Sequence, residues 1–172
     1  MGATAEFVAQ HLNIRREEMD AVALRSHNNV ERATKNGDFR DEIVPVRIPQ
    51  RKGDPIVFEQ DEFVRHGATL ASMSGLKPAF AKDGSVTAAN ASGINDGAAA
   101  VLVMSEARAS ALGLEPLARI RAYASAGLDP AYMGLGPVPA SRRCLERAGW
   151  TAGDLDLLEI NEAFAVQVLA VL

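Results

Sequence analysis

Two short stretches hold residue types that could do chemistry. Asn90-Ala91-Ser92-Gly93-Ile94-Asn95-Asp96-Gly97 packs small and hydrogen-bonding residues together just ahead of an apolar run. It reads either as a structural turn in which Asn95 and Asp96 bond to backbone groups, or as a surface where the backbone and Ser92 approach a ligand closely. Asn161-Glu162-Ala163-Phe164 is equally two-sided. Asn161 can cap a helix, or it can present its amide at a strand-to-helix junction, the usual place for sites in α/β folds. The residues alone leave both choices open.

The other candidates are weaker. Cys144 stands beside Arg142, Arg143 and Arg147, and cations favour a thiolate, but no base is adjacent in sequence and the stretch has an evident packing face. A packing cysteine is the favoured reading. His11 and His27 fall in helical stretches flanked by polar residues and read as solvated, whereas His66 lies in an irregular region and stays open. No metal-ligand spacing, dinucleotide fingerprint or phosphate loop occurs.

The elements that must position these residues follow from periodicity. A first helix is expected from about Thr4, a candidate N-cap, to Leu12, with Phe7, Val8 and Leu12 on related faces. A second runs from Glu17 to Asn36, with Met19, Val22, Ala23, Ser26, Val30 and Ala33 at helical spacing and Asn36-Gly37 as its stop. Glu42–Ile48 and Ile56-Val57-Phe58, joined through Lys52-Gly53-Asp54-Pro55, read as short edge strands or extended arms. From Asp61 to Ser92 glycines and prolines break the periodicity. Ala98–Met104 then reads as a strand buried on both faces, followed by a helix that Ser105 caps and Gly113 ends. Further strands are expected at about Ala118–Ala124 and over Leu155–Ile160, with a helix Ala140–Ala148 stopped by Gly149, a short turn capped by Thr151, and helix from Glu162 onward. Alternating strand and helix indicates a layered α/β core. The final apolar helix lacks a C-cap glycine or polar tail and reads as a cut rather than a terminus.

Bulk properties set the frame. At 172 residues, 48% hydrophobic, 23% charged and net charge −4, the chain has globular composition, and mild acidity argues against a generic nucleic-acid binder. No apolar run approaches the roughly 20 residues of a membrane-spanning helix, and one cysteine suits a reducing compartment, so a cytoplasmic protein with no membrane partner is expected.

The asparagine-led blocks resemble hallmark blocks of the thiolases: Asn90–Ala100 (NASGINDGAAA) and Asn161–Ala165 (NEAFA). Arg65-His66-Gly67-Ala68-Thr69, Leu76-Lys77-Pro78-Ala79-Phe80, Met133-Gly134-Leu135-Gly136-Pro137, Glu146-Arg147-Ala148-Gly149-Trp150 and Asp41–Val46 follow the family order as well. The resemblance covers essentially the whole chain. It implies an α/β, thiolase-like layered αβαβα fold, represented by the inserted loop domain (residues 1–93), the end of the N-terminal half (94–116) and the start of the C-terminal half (117–172). It further implies an acyl-CoA C-acyltransferase of fatty acid metabolism, joining two acetyl-CoA into acetoacetyl-CoA or cleaving a longer 3-ketoacyl-CoA with coenzyme A. Coenzyme A thioesters are then substrates, with no covalently bound cofactor and no metal, and homo-oligomers are expected.

Site residues transfer through the resemblance alone. Asn161 is the catalytic position, holding a water of the oxyanion hole. Ser92 bonds the pantetheine arm, Arg65 and Ser72 lie by the adenine nucleotide, and Leu76, Phe80, Ala88, Met133, Ala163 and Phe164 wall the tunnel. Met133 and the Ser72-Met73 stretch lean toward the short-chain biosynthetic type. The family's nucleophilic cysteine, catalytic histidine and second cysteine have no matching block, so the isolated chain is expected to be inactive. The alternative is a non-catalytic coenzyme A-binding or oligomerisation module. One departure is Arg15, standing where relatives carry a Ser or Thr N-cap, a change expected to cost about 1 kcal/mol.

Overall fold

A computed structural model describes all of residues 1–172. It divides into two compact units: Met1–Gly93 with Glu162–Ala170 and Leu172, and Ile94–Asn161 with Val171. No helix is long and apolar enough to cross a membrane.

In the first unit, α1 (Gly2–His11) buries Ala5, Val8 and Ala9, residues three to four apart on one face. Phe7 and Leu12, expected on that face, stay exposed. The expected cap Thr4 instead lies inside the helix and donates its hydroxyl to the Met1 carbonyl at 2.6 Å, because the helix begins two residues earlier. Next, α2 (Arg16–Asn36) buries Met19, Asp20 and Ala23 and half-buries Val22, Ser26, Val30 and Ala33, the stripe its spacing predicts. It stops at Gly37, whose φ of 80° lies in the left-handed region that glycine enters without a Cβ clash. At its start Glu18 compensates for Arg15: one carboxylate oxygen accepts the Arg15 backbone N–H at 2.8 Å and its Nε at 3.3 Å.

The arms form an antiparallel hairpin, β1 (Val46–Ile48) on β2 (Ile56–Phe58), with Val46 opposite Phe58 and Ile48 opposite Ile56. Within the irregular region the structure adds α3 (Leu70–Ser74), capped by Thr69, whose Oγ1 accepts from Ser72 N at 3.1 Å. Met73 from α3 packs with Ala23 and Ala89, and Leu24, Ala68 and Leu76 close over them. That small core fastens α2 to the segment leading into Ser92. The chain re-enters the unit through α6 (Ala165–Val171), which buries Ala165, Val166 and Val168.

In the second unit, α4 (Glu106–Ala111) is capped by Ser105 Oγ, which accepts from Arg108 N at 3.2 Å. A 3₁₀ turn (Pro130–Leu135) leads into α5 (Pro137–Ala148), three residues longer than its periodicity predicts because Pro137 is admissible in a first turn. Gly149, at φ 70°, ends it. Thr151 and Asp154 cap the following 3₁₀ turn, Ala152–Asp154, reciprocally.

The three expected strands are not strands here. Residues 98–104, 118–124 and 155–160 join no β-ladder, and the run expected to be buried on both faces is open, with Val101 86% and Leu102 82% exposed. A strand exists only as a ladder, with a neighbour about 4.8 Å away satisfying its backbone. These apolar runs carry the composition of sheet strands but have no partner segment in this chain.

Candidate functional site

The two motif blocks meet in the first unit. Ser92 N–H donates to the Ala163 carbonyl at 3.0 Å, Ala165 N–H donates to the Asn90 carbonyl at 2.9 Å, and Ala91 and Phe164 form an antiparallel bridge between them. The NASG stretch and the EAFA stretch are therefore zipped side by side. Phe164 meets the Phe80 ring edge-on, centroids 6.3 Å apart, and the Phe80 ring lies so close over Gly2 that no side chain fits there. The result is an exposed hydroxyl, that of Ser92, on a strap carrying an aromatic pair.

Several layers hold that strap. Asn90 is buried: its Oδ1 accepts from Thr87 N at 2.8 Å, and its Nδ2 donates to Asp20 Oδ1 at 2.9 Å and to the Ser85 carbonyl at 3.1 Å. Glu6, buried on α1, accepts Ser85 N–H at 2.8 Å and Val86 N–H at 3.0 Å. Ala79 N–H donates to the Val86 carbonyl at 2.8 Å and ties the 76–80 segment to the same turn. Ser26 donates to Glu162 Oε2 at 2.5 Å, anchoring the residue next to Asn161 in the chain.

His27 braces the Arg65 side. Its Nδ1 accepts the Arg65 backbone N–H at 3.3 Å, and the ring donates to the Ala89 backbone. Burial, together with the Arg65 charge, holds its pKa below the usual 6.5, outweighing the Ala89 bond and the Glu162 carboxylate that favour the proton. The expectation that His27 is solvated is thus overturned: the half-buried ring serves as a neutral strut. His66 lies 3.9 Å from Glu31, whose carboxylate also accepts from Gly67 N at 2.9 Å and Lys35 at 2.6 Å. Those bonds, the Gly67 one foremost, draw the Glu31 pKa below its ordinary value.

The structural reading of the glycine-rich block changes owner. Asn90, not Asn95 or Asp96, organises the turn. Asn161 does not cap a helix either: α6 starts at Ala165, four residues later, with Phe164 at the N-cap. Arg65, Ser72, Leu76, Phe80, Ala88, Ser92, Ala163 and Phe164 all belong to the first unit, whereas Asn161 and Met133, both exposed, belong to the second. Ser72 spends its hydroxyl on the α3 cap, accepting from Thr69 N at 3.0 Å and donating to Thr69 O at 2.8 Å. Leu76 is half-buried against the small core, and Ala88 and the Arg65 side chain are exposed. Cys144 is half-buried on α5, and two of the three neighbouring guanidinium groups are directed elsewhere: Arg143 donates to Ser125 O at 3.1 Å and Arg147 to Tyr123 O at 2.6 Å. The basic residues around it hold a loop.

Family comparisons agree with the motif order. Residues 1–107 match the thiolase N-terminal domain and residues 114–172 the thiolase C-terminal domain. The chain belongs to the thiolase family. An acetyl-CoA acetyltransferase of Cupriavidus necator is 67% identical over 171 residues, 99% of this chain and 44% of that protein. One of Allochromatium vinosum is 61% identical, over 99% of this chain and 43% of its own length. Among solved structures, the Bacillus anthracis acetyl-CoA acetyltransferase superposes with a TM-score of 0.90 at 54% identity, and human mitochondrial 3-ketoacyl-CoA thiolase with 0.89 at 44%. Each alignment covers 99% of this chain and 43% of the solved chain. This thiolase chain thus has the thiolase α/β fold over a little under half the length of its relatives.

Sequence reasoning gave no role to Arg16, Asp20, Glu6 and Glu162 and took His27 for solvated, whereas all five bond to neighbouring segments. One signal was available: Asp20 is an acid inside the apolar stripe of α2, four residues from Arg16.

Proposed function

We propose that this thiolase chain contributes the coenzyme A-facing wall and one oxyanion-hole asparagine to an acyl-CoA C-acyltransferase. The observation that carries the reading is the pairing of residues 90–92 with 163–165, which puts the exposed Ser92 and the Phe164 ring, edge-on to Phe80, on one strap. A strap that offers both a hydroxyl and an aromatic pair suits the pantetheine arm, an amide-bearing, otherwise aliphatic chain, and the exposed Arg65 guanidinium suits a phosphorylated nucleotide. Leu76, Ala88 and Ala163 complete the apolar wall within the first unit in this reading, with Ser72 near the nucleotide, while Met133 of the second unit is a wall position through the family resemblance alone. Asn161 holds the water that stabilises negative charge on the thioester oxygen, a contribution of about 2.7–4 kcal/mol per donor in comparable acyl transfers.

The substrates are acetyl-CoA and acetoacetyl-CoA, the short-chain assignment resting on Met133, on Ser72-Met73 and on the relatives named acetyl-CoA acetyltransferase. In the condensing direction one acetyl-CoA gives up its acyl group to the other and free coenzyme A leaves. Residues 1–93 form the loop domain, 94–116 the end of the first half and 117–172 the start of the second, a division consistent with a unit boundary at Gly93. The cytoplasm is the setting and a homo-oligomer the working form. The open apolar residues Val101 and Leu102 favour a second role for the same chain, as an assembly module.

Titration calorimetry with coenzyme A tests the wall. We expect weak binding that Ser92→Ala reduces and Cys144→Ser leaves unchanged, and no thiolysis of acetoacetyl-CoA by the chain alone. Binding indifferent to Ser92→Ala, or turnover abolished by Cys144→Ser, overturns the reading.

A further inference from the structure

The three segments that carry the coenzyme A wall in the first unit converge on one pair of side chains of α2. Arg16 Nη2 donates to the Met73 carbonyl at 2.8 Å and to the Leu76 carbonyl at 3.2 Å, fixing the end of α3 and the start of the 76–80 segment. Its Nε donates to Asp20 Oδ2 at 2.7 Å. The other oxygen, Asp20 Oδ1, takes the Asn90 amide at 2.9 Å, and Asn90 in turn holds Thr87 N, Ser85 O and, through its own carbonyl, Ala165 N. Asp20 is 2% and Asn90 3% exposed, so these bonds are made away from water.

We propose that Arg16, Asp20 and Asn90 form one buried positioning device that fixes segments 72–80, 85–92 and 163–165 together and thereby sets the Ser92 hydroxyl for its ligand. The proposal rests on the coenzyme A reading above.

The residue types are demanding. Asn90 uses both amide hydrogens and its oxygen, so an aspartate there loses both donors and faces Asp20 with a second carboxylate. The amide can stand only one way round, since Nδ2 lies between two acceptors and Oδ1 meets an N–H. Arg16 reaches two carbonyls and a carboxylate from one planar fork, which a lysine point charge does not reproduce. None of the three touches the ligand in this reading; they act through Ser92 and Phe164.

The test uses the 172-residue chain, with hydrogen exchange read at the Ser92 and Ala165 amides, both donors across the strap, and at α1 amides as an internal reference. Asn90→Asp is expected to speed exchange at Ser92 and Ala165 about tenfold with α1 unchanged, and to weaken coenzyme A about tenfold, as loss of a buried hydrogen bond does. Asp20→Asn combined with Asn90→Asp restores a donor–acceptor contact at that point and returns both readings to within about threefold, the Ser85 carbonyl remaining unpaired. Unchanged strap exchange in Asn90→Asp overturns the proposal. So does exchange that rises equally in α1, which marks general destabilisation, or a double variant no better than the single one, or faster strap exchange with unaltered coenzyme A affinity. Failure of the unmodified chain to bind coenzyme A sinks the ligand reading, while the exchange arm still decides whether the device holds the strap.

Discussion

Glu6 and Gly84 make a pair whose coupling can be worked out from the structure. The Glu6 carboxylate accepts Ser85 N–H at 2.8 Å and Val86 N–H at 3.0 Å. It can do so only because residue 84 has no side chain: a Cβ there would stand 2.7 Å from the Glu6 Cδ and closer still to Oε1. Gly84→Ala therefore forces the carboxylate off both N–H groups. Hydrogen bonds to a charged acceptor contribute about 1.5–3 kcal/mol each, and Gly→Ala recovers about 0.4–1 kcal/mol from the unfolded chain, so with both bonds lost a net loss of about 2–5.6 kcal/mol is expected. The φ of Gly84 is outside the left-handed region, so no backbone strain adds to this. In a Glu6→Ala background the collision is gone, and Gly84→Ala should then be neutral or slightly stabilising. Urea unfolding followed by circular dichroism reads the four corners of the cycle; with a slope of about 2 kcal/mol/M, the Gly84→Ala midpoint falls by about 1–3 M in the native background alone. Equal costs in the two backgrounds, within about 0.5 kcal/mol, would falsify the argument that Gly84 is a glycine for the sake of Glu6.

Two further outcomes follow from the same geometry. Because the folded state holds the His27 pKa below its ordinary 6.5, the unfolded chain binds more protons between those two values, so stability is present above about pH 6.5 and is lost as pH falls through the depressed value; His27→Gln should flatten that acid limb of a denaturation-versus-pH profile, and an unaltered limb counts against the neutral strut. Leu102, 82% exposed, has little packing to lose, so Leu102→Lys should leave the unfolding free energy within about 0.5 kcal/mol of the parent while lowering dye binding and light scattering; a large loss of stability would show that the residue is covered.

Legibility in the sequence followed the range of the interaction. Gly37 and Gly149 ended their helices where expected, and Ser105 and Thr151 capped theirs, because each is settled within a few residues by a left-handed dihedral or one hydrogen bond. Thr4 and Asn161 have the right chemistry for caps but sit at the wrong offset from helices that begin at Gly2 and Ala165. The runs 98–104, 118–124 and 155–160 show the converse error: their apolar composition suits a buried strand, yet strand formation belongs to a pair of segments, and no single window contains the partner.

The candidate site divides along the same line. Ser92, Phe80 and Phe164 were identified because they stand in blocks resembling the thiolase motifs, where residue type and order suffice. Arg16, Asp20, Glu6 and His27 act across 57, 70, 79 and 38 residues of sequence, each on the backbone or amide of a loop that periodicity could not describe. No buried side-chain nitrogen or oxygen is left without a partner, so this polar scaffold is complete. A complete buried network tolerates few rearrangements, since moving any member strands a polar group at a cost of about 1–3 kcal/mol. The strap and the segment leading into it are thus tied to α1 and α2 by polar bonds as well as by the apolar packing of Met73, Ala23 and Ala89. Asp20, deep in α2, is thereby a position from which one substitution reaches the strap through Asn90 alone.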